Sequence, residues 1–206
     1  MKSRVWAQLD DNTAFYPAVD VTRAINDSLQ VLNLYTGIVQ GPVSITTDVG
    51  RYFYSLPGSV ISPLAVDLDG RQLRRTSFHN LASRRNLWLK ETSSNVGPTA
   101  VWAPIGSRTI AIHPADNKGG RTLRVVGVLE PTLLVNDSDI IDIPDEMIDA
   151  VEDLAVLALQ IKEGGSVFYQ ASTKYSSFLS QVKTWERWRG IKHPRYFVEA
   201  EAVKRA

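Results

Sequence analysis

The chain has 206 residues, enough for one domain or for a small domain set inside another. Apolar residues make up 44% and charged residues 22%, the balance of an ordinary globular protein, and a formal net charge of +1 excludes a wholesale nucleic-acid coat. No cysteine is present, which excludes disulfides, thiolate metal sites and cysteine nucleophiles and suits synthesis in a reducing cytosol.

The first stretch, MKSRVWAQLDDN, has no apolar core of the kind a signal peptide needs, and no apolar run is long enough to cross a bilayer; no membrane partner is expected. In VDVTRAINDSLQVLNLYTG, Val21, Ile25, Leu29 and Leu32 fall on one helical face. Asp20 or Thr22 is suited to cap the start and Gly37 to stop the helix, which predicts about 15 helical residues.

From about Val39 to Val135 the period changes to that of strands. VSITTDVGRYFYSL alternates and is rich in β-branched and aromatic residues. Asp69-Gly70 between two such runs is the sharpest hairpin signal in the chain. AVWAPIGSRTIAIHP repeats the scheme around Gly106-Ser107, and Asn117 to Gly120 turns the chain into RTLRVVGVL. Frequent prolines keep these strands short and place some at edges. One short helix is expected at FHNLASRR.

The last third is helical. Pro144 suits a first turn, and Asp145 and Glu146 complement the N-terminal dipole. Met147, Val151, Leu154, Ala158 and Ile161 are spaced by fours and threes, widened by Ile148, Ala155 and Leu159. Gly164-Gly165 breaks the helix. Phe168, Ala171, Tyr175, Phe178, Val182 and Trp185 then predict a second amphipathic helix, and the pair forms an αα-hairpin. The expected class is α+β: a helical bundle (N-terminal helix plus C-terminal αα-hairpin, residues 1–38 and 136–190) with an inserted antiparallel β-sandwich or barrel-like domain over 39–135. Residues 191–206 form a C-terminal arm.

Chemistry is sparse. His79, His113 and His193 show no metal-ligand spacing, and neither a nucleophile elbow nor a phosphate-binding glycine loop occurs. The expectation is no catalytic residue, no metal and no cofactor. Asp137, Asp139 and Asp142 resemble a calcium loop only loosely, since the turn glycine and the distal glutamate are missing. Charge is segregated instead. Pro131 to Ile161 holds eight acidic residues and no basic one. Arg71, Arg74, Arg75, Arg84 and Arg85 share a stretch without acids, and WERWRGIKHPRYF adds Arg187, Arg189, Lys192 and Arg195 among aromatics. Single runs are usually solvated faces. Together, two complementary patches are what a head-to-tail ring requires. Aromatics interleaved with cations also suit single-stranded nucleic acid or a docking tail.

The order of parts resembles phage head-to-tail adaptor (connector) proteins. FYPAVDVTRAINDSLQVLNLYTG leads into a β insertion with RYFYSLPGSVISPLAVDLDGRQL. NLW, GPTAVWAPIGSRTIAIHP and LRVVGVLEPTLLVNDSDIIDIPDEMIDAVEDLAVLAL follow. The resemblance spans roughly Trp6 to Trp188. It implies a non-enzymatic virion protein of the neck, made in the host bacterial cytoplasm. It further implies a cyclic homo-oligomer of about a dozen copies. Its partners would be the portal protein, a tail or nozzle protein, and genomic DNA passing without sequence-specific binding. The candidate subunit or portal contacts are Arg71, Arg74, Arg75, Arg84, Arg85, Leu154, Leu157, Trp188, Arg189, Lys192, Arg195, Tyr196 and Phe197. Another neck or tail-tube protein, a nucleic-acid-binding module and a β-domain enzyme or carbohydrate binder are the alternatives.

Overall fold

A computed structural model describes residues 1–9, 15–84, 88–106, 108–141, 143–163, 175, 176 and 178–184. The fold is mixed α+β and divides into two compact units, residues 1–39 with 131–206, and residues 40–130.

In the first unit, α1 (Lys2–Gln8), α2 (Ala18–Thr36), α4 (Ile148–Glu163) and a helical stretch at 178–184 share one core. The 3.6-residue period explains α2, because Val21, Ile25, Leu29 and Leu32 are all buried. The helix is longer than predicted, 19 residues, since Pro17 starts it and neither candidate caps it. Asp20 lies in the first turn, and the Thr22 hydroxyl donates back to the Ala18 carbonyl at 2.7 Å. Gly37 ends it in the left-handed region, φ 56°, with its N–H donating to Asn33 O.

Pro144 precedes a 3-10 turn, Asp145–Met147, that leads into α4. Met147, Val151 and Leu154 are buried as expected, and the unbroken apolar run covers several sides of the helix. Ala158 is exposed and Ile161 is 47% exposed, which corrects the predicted stripe at its C-terminal end. There the buried side turns to Leu159, whose carbonyl accepts the Tyr16 hydroxyl at 3.5 Å. Phe178 and Val182 are buried and Tyr175 is exposed. Gly164-Gly165, Phe168, Ala171 and Trp185 of the predicted hairpin lie outside the described residues.

The second unit is one seven-stranded sheet: β1 (Gln40–Thr46), β2 (Phe53–Ser55), β3 (Val60–Leu68), β4 (Arg71–Arg75), β5 (Val101–Ile105), β6 (Thr109–His113) and β7 (Thr122–Leu129), in the order β1-β7-β3-β4-β5-β6-β2. Tyr54 of β2, Trp102 of β5 and Leu123 of β7 meet in a single core, with Val43 and Ile45 of β1 against it, so the sheet curls around its own contents. The expected wholly antiparallel pairing is corrected at one joint. β4 and β5 run parallel through Arg74↔Val101 and Arg75↔Trp102. The chain crosses between them by α3 (Phe78–Arg84), the helix expected at FHNLASRR, and a 3-10 turn at Trp88–Lys90.

The Asp69-Gly70 hairpin forms as predicted, pairing Leu68↔Arg71, with φ of 49° and 78° at its two turn residues. Arg121 Nε reaches Asp69 Oδ2 at 2.6 Å, which ties the hairpin to the start of β7. Gly127, in the middle of β7, meets the β3 backbone so closely that a Cβ there would stand 2.7 Å from Ser62 O. β1 is an edge strand and carries Pro42.

Candidate interaction surfaces

The arginine run does not form a single patch. On β4, Leu73 and Arg75 face inward while Gln72 and Arg74 face outward, as strand alternation requires. Arg75 lies half-buried with its guanidinium 5.4 Å from the Trp102 ring centroid, and burial pushes its pKa below the ordinary arginine value. It covers the β core. Arg71 is exposed at the hairpin, and Arg74 is exposed on the outer face. Arg84 lies in α3 with its side chain outside the described residues, as is all of Arg85.

Arg74 lines an open cleft of about 360 Å³ whose walls include Asn80, Leu81, Val96, Pro98 and His113. The His113 ring is buried and its Nε2 stands 3.0 Å from Glu91 Oε2. Behind it, Trp88 takes edge contacts from Tyr52, Phe53, Phe78 and His113 at centroid distances of 5.7, 5.8, 5.8 and 6.4 Å. The Tyr52 hydroxyl donates to Glu91 O at 2.9 Å. This aromatic cluster fixes one side of the cleft. Among the described residues no group of three or more His, Asp or Glu side chains is placed to hold a metal, and no helix is long and apolar enough to cross a membrane.

The acidic run is partly consumed within the chain. Lys2 Nζ pairs with Asp137 at 2.6 Å, and Arg4 reaches Asp149 at 3.3 Å and Glu152 at 2.9 Å. Glu152 is 2% exposed, and burial raises its pKa while Arg4 partly opposes the shift. Asp139 Oδ2 accepts the backbone N–H groups of Asn136 and Val135, which lowers its pKa. Of the three carboxylates that suggested a calcium loop, Asp137 and Asp139 are therefore turned to donors of the protein itself, and Asp142 lies outside the described residues. Asp145 and Glu146 remain exposed, with no ion pair among the described residues.

Sequence reasoning missed the pairing of α1 with α4. The signal was MKSR, two cationic residues in four, but the partners lie more than a hundred positions away. It also placed Leu154 and Leu157 at an interface. Both belong to the core of the helical unit, at 7% and 3% exposure, because α4 is covered on several sides. Just before α4, by contrast, Leu133, Val135 and Ile140 reach solvent, the last 88% exposed. Trp188, Arg189, Lys192, Arg195, Tyr196 and Phe197 lie outside the described residues.

A search of curated proteins gives no significant match. The family comparison does: residues 1–201 match the family described as SU10 adaptor protein. That match spans nearly the whole chain, both units included, and agrees with the order of parts that resembled phage head-to-tail adaptors. The chain belongs to the SU10 adaptor protein family and is a phage structural protein of the adaptor class.

Proposed function

We propose that this adaptor closes into a ring beneath the portal, joins the capsid to the tail and continues the DNA channel. The observation that carries the reading is the family match over residues 1–201. A ring of about a dozen copies needs two different patches that meet across each boundary. The uneven surface suits this, with Arg71 and Arg74 exposed on the β unit and Asp145 and Glu146 exposed on the helical unit. The β unit is the inserted domain of the ring protein, and the C-terminal hairpin and arm complete its helical domain. The arm, with Trp188, Arg189, Lys192, Arg195, Tyr196 and Phe197, docks on a neighbouring subunit or on the portal. Tail or nozzle proteins bind the opposite side of the ring. The strongest cations serve protein contacts, because each phosphate they neutralised would add drag on passing DNA. No chemical step is assigned to the protein.

The test is electron microscopy of the purified protein alone and mixed with its portal protein. Rings on portal particles are expected. A chain that stays monomeric in the presence of portal overturns the reading. Removing the residues after Gly190 is expected to weaken ring formation about tenfold while the thermal melt stays unchanged, since the arm adds contacts and no core.

A further inference from the structure

The segment between β7 and α4 is an exposed loop that is nonetheless held firmly. Asn26 of α2 clamps it with both ends of its amide: Leu134 N–H donates to Asn26 Oδ1 at 2.9 Å, and Asn26 Nδ2 donates to Leu134 O at 3.0 Å. Asp139 gathers the N–H groups of Val135 and Asn136 at 2.7 and 2.8 Å, and Lys2 anchors Asp137. Leu134, Ile141 and Ile143 pack against the core of the unit. Leu133, Val135 and Ile140 reach solvent instead, at 53%, 75% and 88% exposure. Three large aliphatic side chains presented on a fixed backbone make a binding surface, because little ordering entropy is lost when they are covered.

The β unit offers the complement. Its cleft has apolar walls at Leu81, Val96, Pro98 and Val101 with Arg74 on the lining. A space of about 360 Å³ accepts about two aliphatic side chains and lies at the small end of binding pockets. No acidic residue occurs between Arg71 and Arg85, whereas Asp145 and Glu146 follow the loop closely and lack an intrachain ion pair among the described residues. Charge and apolar character therefore match between two different surfaces of the same chain.

We infer that the Leu133–Ile140 loop of one copy seats in the Arg74 cleft of the next copy, with Ile140 in the cleft and Asp145 and Glu146 facing Arg74. The contact is heterologous, so repetition generates a ring or a filament. The inference rests on the ring reading above and names one contact within it.

The absence of cysteine makes a direct test available. Ile140→Cys and Val96→Cys are placed in separate chains, mixed at high concentration, oxidised with oxidised glutathione and read on a non-reducing gel. Both positions are exposed, at 88% and 42%, so neither change threatens folding. The expected result is a heterodimer at least about fivefold more abundant than with Val49→Cys, an exposed position that does not line the cleft, in place of Val96→Cys. Arg74→Glu in the Val96→Cys chain is expected to lower that yield severalfold. A yield no higher than the control overturns the contact, and so does a predominance of Ile140→Cys homodimers, which would signal a two-fold contact. Microscopy of the unmodified protein with portal keeps the two readings apart. Rings without the heterodimer remove this contact and leave the ring. The heterodimer without rings keeps the contact and removes closure.

Discussion

Glu152 places a carboxylate among the buried residues of α4, where Arg4 approaches it from an exposed position. Burial dominates, so the folded chain holds the Glu152 proton to higher pH than the unfolded chain does. The stability tied to that proton is fully present below the ordinary value of 4.5 and falls as pH rises through the raised one. Glu152→Gln is therefore expected to gain on the parent protein as pH climbs above 4.5, read as a widening difference in Tm between pH 4 and pH 7. A constant difference would mean that the carboxylate titrates as it does in the unfolded chain. Arg4→Ala at neutral pH is expected to cost about 2 kcal/mol, the scale of leaving the buried Glu152 carboxylate without its cation. Asp69 and Asp139 act in the opposite sense. Arg121 lowers the first and backbone N–H groups lower the second, so their contribution is lost as pH falls below 3.8.

Among the elements, what the sequence revealed depended on how local each cause was. The four-and-three spacing in α2 and the Asp69-Gly70 turn are decided within a few residues, and both were legible. α1 was not, because seven residues make a marginal helix; it is held by the burial of Val5 and by Lys2 and Arg4 bonding to residues 135 to 148 positions away. The parallel β4–β5 joint was hidden for the same reason, since strand partners across a crossover leave no local trace. Arg71 to Arg85 read as one basic patch, yet strand alternation put Arg75 over Trp102 and Arg74 on the cleft. The cleft itself brings together β4, α3 and the approach to β5, a meeting that no spacing rule contains. Gly127 gives the sheet a precise test. A methyl at that position would collide with Ser62 O and press on Val60, so β3 and β7 would have to separate. Gly127→Ala is expected to destabilise the protein by about 1–3 kcal/mol in chemical denaturation. An unchanged midpoint would show that these two strands slide apart freely.

At the scale of the whole molecule, the two larger hydrophobic cores have separate memberships, one drawn from the helices and one from the strands. The unit that holds the second, residues 40–130, is continuous in sequence, and its two ends are neighbours: Gln40 pairs with Val128 as β1 runs beside β7. A segment whose ends already meet needs no help from the rest of the chain to close. Residues 40–130 expressed alone are expected to show a β-type circular dichroism spectrum and a cooperative melt; a featureless, non-cooperative trace would refute independent folding. The position of Pro42 has a consequence for life at high local concentration. Thr47 N–H donates to Arg121 O, so along β1 the odd-numbered N–H groups point at β7 and the nitrogen of Pro42 points outward. A strand approaching that open edge finds a ring where a donor should be. Copies of this protein crowded in an infected cell thus have a built-in obstacle to zipping sheet onto sheet, and the edge resists the amyloid-like stacking that an unbroken seven-residue strand would invite.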